Sequence, residues 1–178
     1  MSDGEPWADT LRALRSLVAE EDVLLARKVL RNPSETVSGP LRRTLHWSVS
    51  SLHSLWDAWM HERDIMLPLG AVPAYTATDL RLASMYGLLG ASAPAGWSGD
   101  HVRTTVLLER SPDGCYEIAP TSTGSTRVSI AQGDDAELRG PVGEVLDSLA
   151  GRGAEPHEVF GVSTPAVSKL ALLRKVAT

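Results

Sequence analysis

The 178-residue chain is short of several things, and each shortage closes off a class of protein. Its single cysteine, Cys115, allows no internal disulfide, which fits a reducing compartment. It has no basic excess: 17 lysines and arginines stand against 22 aspartates and glutamates, a formal net charge of -5. The charge is evenly spread, with no basic patch, so a surface that tracks nucleic-acid phosphates is not expected. No apolar run approaches the ~18 residues needed to span a bilayer. The opening Met-Ser-Asp-Gly-Glu-Pro is acidic and lacks the apolar core of a secretory signal. Neither a glycine-rich phosphate loop nor a serine-hydrolase layout is present. The expectation is a soluble cytoplasmic protein with no nucleic-acid or membrane partner.

What is there is ordinary globular material, 43% hydrophobic and 22% charged, enough for one substantial core or two small ones. The aromatic content is lopsided, with five tryptophans to one phenylalanine. Trp47, Trp56 and Trp59 fall close together, so an aromatic cluster is expected in the first half.

Apolar residues at Leu11, Leu14, Val18, Leu25 and Val29 recur with helical period, predicting a helix over 8–31 that Asn32-Pro33 ends. After a polar linker, Pro40 suits the first turn of a long helix over 40–67. Leu41, Leu45, Val49, Leu52, Trp56, Trp59 and Met60 form its stripe, and Pro68 and Gly70 stop it. A third helix is expected over 77–90. The run Gly90 to Gly99, all small and nearly uncharged, reads as a boundary. Beyond it the period becomes two. Val102–Glu109 and Cys115–Ala119 flank Ser111-Pro112-Asp113-Gly114 as a hairpin, with further strands at 127–131 and 158–162. Short helices are expected over 141–150 and from Thr164-Pro165 onward. The fold class is therefore α+β: a helical domain over 1–92, a linker over 93–100 and an α+β domain over 101–178.

Three of the five histidines, His46, His53 and His61, lie on the expected second helix. His53, Asp57 and His61 are spaced by four, so consecutive pairs share a face about 6 Å apart along the axis. Either pair can give two ligands to one metal ion, and a zinc site needs at least three from protein. The plainer alternative is a hydrogen-bonded pair at a helix interface. The run His61-Glu62-Arg63-Asp64 looks capable of acid–base work, with local ion pairs among Glu62, Arg63 and Asp64 near the helix end as the plainer expectation, and Cys115 is expected to be an inert, half-buried thiol.

The segment Trp56-Asp57-Ala58-Trp59-Met60-His61-Glu62-Arg63-Asp64-Ile65-Met66-Leu67-Pro68-Leu69-Gly70 resembles the fourth-helix signature of the mycothiol-dependent maleylpyruvate isomerase family, whose members are DinB-like four-helix metalloenzymes. Asp135-Ala136-Glu137-Leu138-Arg139-Gly140, followed by a helix ending near Gly151-Arg152, is similar to that family's sterol-carrier-like C-terminal domain. The resemblance implies an incomplete DinB-like bundle followed by a small sterol-carrier-like domain. In that family an early histidine and an acid-x-x-x-His pair hold a divalent metal such as zinc. Asp57 and His61 match the pair. No histidine precedes His46, and residues 8–31 correspond to the third helix, so the first two helices and the third ligand have no counterpart.

Two readings of function follow. By resemblance, the chain is a divergent isomerase or thiol transferase acting on a small organic molecule, with a metal at Asp57 and His61 activating mycothiol. Without metal, Asp57 and His61 would serve as an acid and base for an isomerisation or cyclisation, with Trp56, Trp59 and His53 lining the substrate pocket. Alternatively it is a non-catalytic remnant that binds a small molecule or a partner. In either case the shortened bundle is expected to leave an apolar face for a second copy or a partner protein to cover.

Overall fold

A computed structural model describes residues 6–38 and 44–171, and over these the chain is α+β. It divides into two compact units, Met1–Ser50 and Ser51–Thr178.

The first unit holds helix α1 (Pro6–Arg31) and strands β1 (Thr36–Ser38) and β2 (Thr44–His46). Asp9 lies in the first turn of α1, and Lys28 and Arg31 lie in its last, each sign at the end of the helix dipole that favours it. Of the expected stripe, the side chains of Leu11, Leu14 and Val18 lie outside those described; Leu25 is half-buried and Val29 exposed. Leu17, Val23, Leu24 and Leu30 are exposed as well. The second helix does not start at residue 40. Thr36-Val37-Ser38 and Thr44-Leu45-His46 each alternate polar, apolar, polar, and they pair antiparallel with Val37 opposite Leu45. Pro40 lies outside the described residues. His46 engages both ring nitrogens locally, one 2.6 Å from the Pro33 carbonyl and one 2.7 Å from Ser48 Oγ.

Helix α2 (Trp47–Met66) begins in this unit and runs through the second, ending in a 3₁₀ turn at Leu67–Leu69 that Gly70 closes with φ of 71°. Helix α3 (Ala77–Trp97) starts at a full capping box: Asp79 N–H donates to Thr76 Oγ1, and Thr76 N–H donates to the Asp79 carboxylate.

The expected linker at 93–100 is mostly helix, because α3 continues to Trp97. The small residues there form a packing face: Leu88, Ala91, Ser92 and Ala95 are completely buried. The same economy of size operates one turn earlier. A Cβ on Gly87 would lie 2.8 Å from the Trp56 ring and 2.9 Å from Leu146. Small side chains let neighbouring elements come close, and sequence alone does not distinguish that use from flexibility.

The sheet contains β3 (Thr104–Glu109), β4 (Cys115–Pro120), β5 (Thr126–Ile130) and β6 (Leu138–Pro141), in the order β5-β4-β3-β6. The β3–β4 hairpin is as expected, and β4–β5 is antiparallel. β6 runs parallel to β3 with Leu138 opposite Val106, and was not anticipated as a strand. Its four residues are too few to show a period, and its terminal Pro141 is tolerated because β6 is an edge. Val106, Leu108, Tyr116, Ile118 and Leu138 are completely buried on one sheet face. Helices α3 and α4 (Val142–Leu149) pack against the sheet and each other, and α6 (Pro165–Leu170) packs against α3. Where a strand was expected at 158–162, a short helix α5 (Pro156–Val159) stands, with Pro156 at its first position and reciprocal capping by Glu155 and Glu158.

Arg81 on α3 grips Asp113 in the hairpin turn with two hydrogen bonds, of 2.7 and 2.8 Å. This bond, with the Tyr116 hydroxyl, holds the Asp113 carboxyl below its ordinary pKa of 3.8. A carboxyl depressed by folding stabilises above its unfolded pKa, and the stability is lost as pH falls through the folded value. Acid titration of unfolding free energy is therefore expected to decline below about pH 3.8, and less steeply in Asp113→Asn. Gly87→Ala is expected to destabilise by roughly 1–3 kcal/mol through overpacking against Trp56, measured by chemical denaturation.

Candidate functional site

Helix α2 presents two different sides over residues 51–66. Trp56, Trp59 and Met60 are buried at 7%, 5% and 1% exposure. Asp57 and His61 are one turn apart on the outer side, their side chains 62% and 63% exposed. Spacing by four places His53, Asp57, His61 and Ile65 along one ridge.

The expected neighbours do meet. His61 Nε2 lies 3.5 Å from Asp57 Oδ2, and His61 Nδ1 lies 3.8 Å from Asp64 Oδ2. Both separations exceed a good N–H···O hydrogen bond. Asp64 is committed elsewhere: Arg152 donates two hydrogen bonds to it, of 2.7 and 2.8 Å, which hold its carboxyl below the ordinary range. Among the described residues, no group of three or more histidine, cysteine or acidic side chains is placed to hold a metal ion. Among the described residues the donor set at Asp57 and His61 stops at two, and a closed or catalytic zinc site does not fit it.

His53 lies differently. It is half-buried, and its Nδ1 is 2.8 Å from the hydroxyl of Tyr86 on α3. Burial, with the charge of Asp57 added, pushes the Tyr86 phenol up to about 12. The neutral phenol can donate to His53 Nδ1 or accept from it, according to the His53 tautomer. Nothing in the sequence marks Tyr86 as a site residue, since its position beside His53 depends on how α2 and α3 meet.

The tryptophans form a packed group with other aromatics. Trp56 stacks on Trp59 with ring centroids 5.7 Å apart, Tyr86 lies 6.0 Å from Trp56, and Tyr75 lies 5.2 Å from Trp59. The Arg63 guanidinium sits 4.7 Å from the Trp59 ring centroid. Its Nε donates to Asp147 Oδ1 at 2.8 Å, and its Nη2 donates to Asp147 Oδ2, the pair being mostly buried. Glu62-Arg63-Asp64 was expected to pair locally. Instead Arg63 and Asp64 reach residues 84 and 88 positions away. A run of charges gives no sign of such distant partners. The Trp59 Nε1 donor is buried without a hydrogen-bond partner.

Cys115 is buried, and burial pushes its thiol up, away from nucleophilic duty. No helix among the described residues is long and apolar enough to cross a membrane. No family model, curated protein or solved structure matches the chain.

Removing Arg63 strands the Asp147 carboxylate in a largely dry site. Arg63→Ala is expected to lower stability by about 3–5 kcal/mol, read from denaturant midpoints. Tyr86→Phe is expected to cost only about 1 kcal/mol while changing the tautomer balance of His53, seen as a shift of its ring ¹⁵N resonances.

Proposed function

We propose that this chain is a non-catalytic binding protein that associates through the outer face of α2, on a scaffold like that of the maleylpyruvate isomerase family. The observation that supports this reading is the separation of the two halves an enzyme would need together. The tryptophans are packed inward, with no room beside Trp56 even for a methyl group on Gly87, while Asp57 and His61 stand outward in solvent. Exposed Ile65 follows that polar pair along its ridge, and Leu67 and Leu69 are exposed in the turn after α2. Apolar residues interleaved with a few polar groups are the composition of a contact surface.

A second reading is supported by one observation, the adjacency of Asp57 and His61. In it the chain is a divergent isomerase or thiol transferase that uses mycothiol and a metal at this pair. A DinB-like bundle and a sterol-carrier-like second half belong to the resemblance behind both readings.

Sedimentation velocity across a concentration series, with Ile65→Asp beside wild type, separates them. The binding reading expects wild-type association that the substitution abolishes with secondary structure intact, and no thiol-dependent turnover of small electrophiles. A monomer at every concentration that turns over a mycothiol adduct, and loses this in Asp57→Ala, would overturn it.

A further inference from the structure

One side of α1 carries large apolar side chains that nothing among the described residues covers. Leu17, Val23, Leu24 and Leu30 are 62%, 50%, 61% and 83% exposed, and Glu20 and Arg27 between them are exposed as well. Steps of three and four residues place all six on one gently drifting stripe, about 20 Å long at 1.5 Å per residue. Half-buried Leu25 and Lys28 lie on a different side. Among the described residues the ion pairs of α1 are Arg12–Asp9 and Lys28–Glu35, and neither involves Glu20 or Arg27. A run of exposed apolar side chains rimmed by charge marks a contact face.

The order of residues along the stripe says what covers it. From either end it runs leucine, charge, two apolar residues, charge, leucine. About a midpoint between residues 23 and 24, Leu17 is placed like Leu30, Val23 like Leu24, and Glu20 like Arg27. The stripe is therefore symmetric in apolar character and antisymmetric in charge. A second copy of the helix laid antiparallel, with a twofold axis at that midpoint, sets leucine level with leucine and Glu20 level with the partner's Arg27, twice over. A parallel arrangement would set Glu20 against Glu20 and Arg27 against Arg27, which like-charge repulsion disfavours. A dissimilar partner would not need this symmetry.

We propose that α1 pairs antiparallel with α1 of a second copy, and that Glu20 and Arg27 fix the register and direction of the pair. The contact is separate from the outer face of α2 and does not rest on the reading above. The α1 pair is the unit from which association through α2 proceeds, and Ile65→Asp removes that later step alone.

The test is charge exchange in the full chain carrying Ile65→Asp, with mass read by light scattering on a sizing column across a concentration series. The parent is expected to be a dimer. Glu20→Arg and Arg27→Glu, added singly, each bring two like-charged pairs together and are expected to weaken dimerisation by at least about tenfold. Circular dichroism is expected to stay unchanged, because both positions are exposed. An equimolar mixture of the two variants is expected to dimerise as tightly as the parent, since every facing pair is again opposite in sign. A monomeric parent, a dimer indifferent to both reversals, or a mixture no tighter than its components overturns the proposal. Direction is read by crosslinking, which the buried Cys115 does not disturb. Under mild oxidation Leu17→Cys is expected to link to Leu30→Cys in a mixture. A Leu17→Cys chain that links more readily to its own kind overturns the antiparallel arrangement.

Discussion

Arg63 is the interaction on which the arrangement of α2 in the second unit depends. Its guanidinium lies against the face of Trp59 and is gripped on its edge by Asp147 of α4. One side chain thus joins the aromatic group to the helix that follows β6. A planar, permanently charged fork suits this place, since it stacks and forms paired hydrogen bonds at once. The neighbouring Asp64–Arg152 pair repeats the link one residue on, reaching the turn just beyond the end of α4. With two such ties the rotation of α2 about its own axis is fixed, and so is which side of it faces out.

That rotation decides what the chemistry-bearing residues can do. Trp56, Trp59, Met60 and Arg63 occupy the inward arc, and Asp57, His61 and Ile65 the outward one. A rotation large enough to bring Asp57 inward would pull Arg63 off Asp147 and leave both charges stranded. The Gly87 contact pins the other edge of the arc, because the Trp56 ring fills the space a side chain there would take. The pair on the outer ridge is therefore held in the open by the packing beneath it.

Much of this was legible in the sequence wherever a local signal existed. The third helix began at Ala77 as read, and the hairpin followed its Ser-Pro-Asp-Gly turn. Thr164 capped the last helix. Failures arose where one residue type serves two purposes. Glycine and alanine after residue 90 looked like a flexible boundary and proved to be a close-packed helix face. Three-residue strands at Thr36–Ser38 and Thr44–His46 were too short to show a period, and Pro40 nearby invited a helix start. For the site, spacing on one helix correctly put Asp57 beside His61. The same periodicity put Trp56, Trp59 and Met60 in the apolar stripe, but it gave no sign that Tyr86 holds His53, which depends on how α2 meets α3.

The segment 56–70 that carries the family resemblance can now be divided by what each residue does. Trp56, Trp59 and Met60 are core, Arg63 and Asp64 are anchors, and Leu67 to Gly70 form the turn that ends the helix. Any helix that must sit against α3 and α4 in this way needs something like them, whatever the protein does. Asp57 and His61, with exposed Ala58, Glu62 and Ile65, lie free of that packing. A likeness spread over fifteen residues therefore speaks mainly for how a helix is seated, and its bearing on chemistry comes down to two side chains. Their 3.5 Å separation, together with the absence of a third donor among the described residues, directs attention from a pocket within the chain to what can approach from outside.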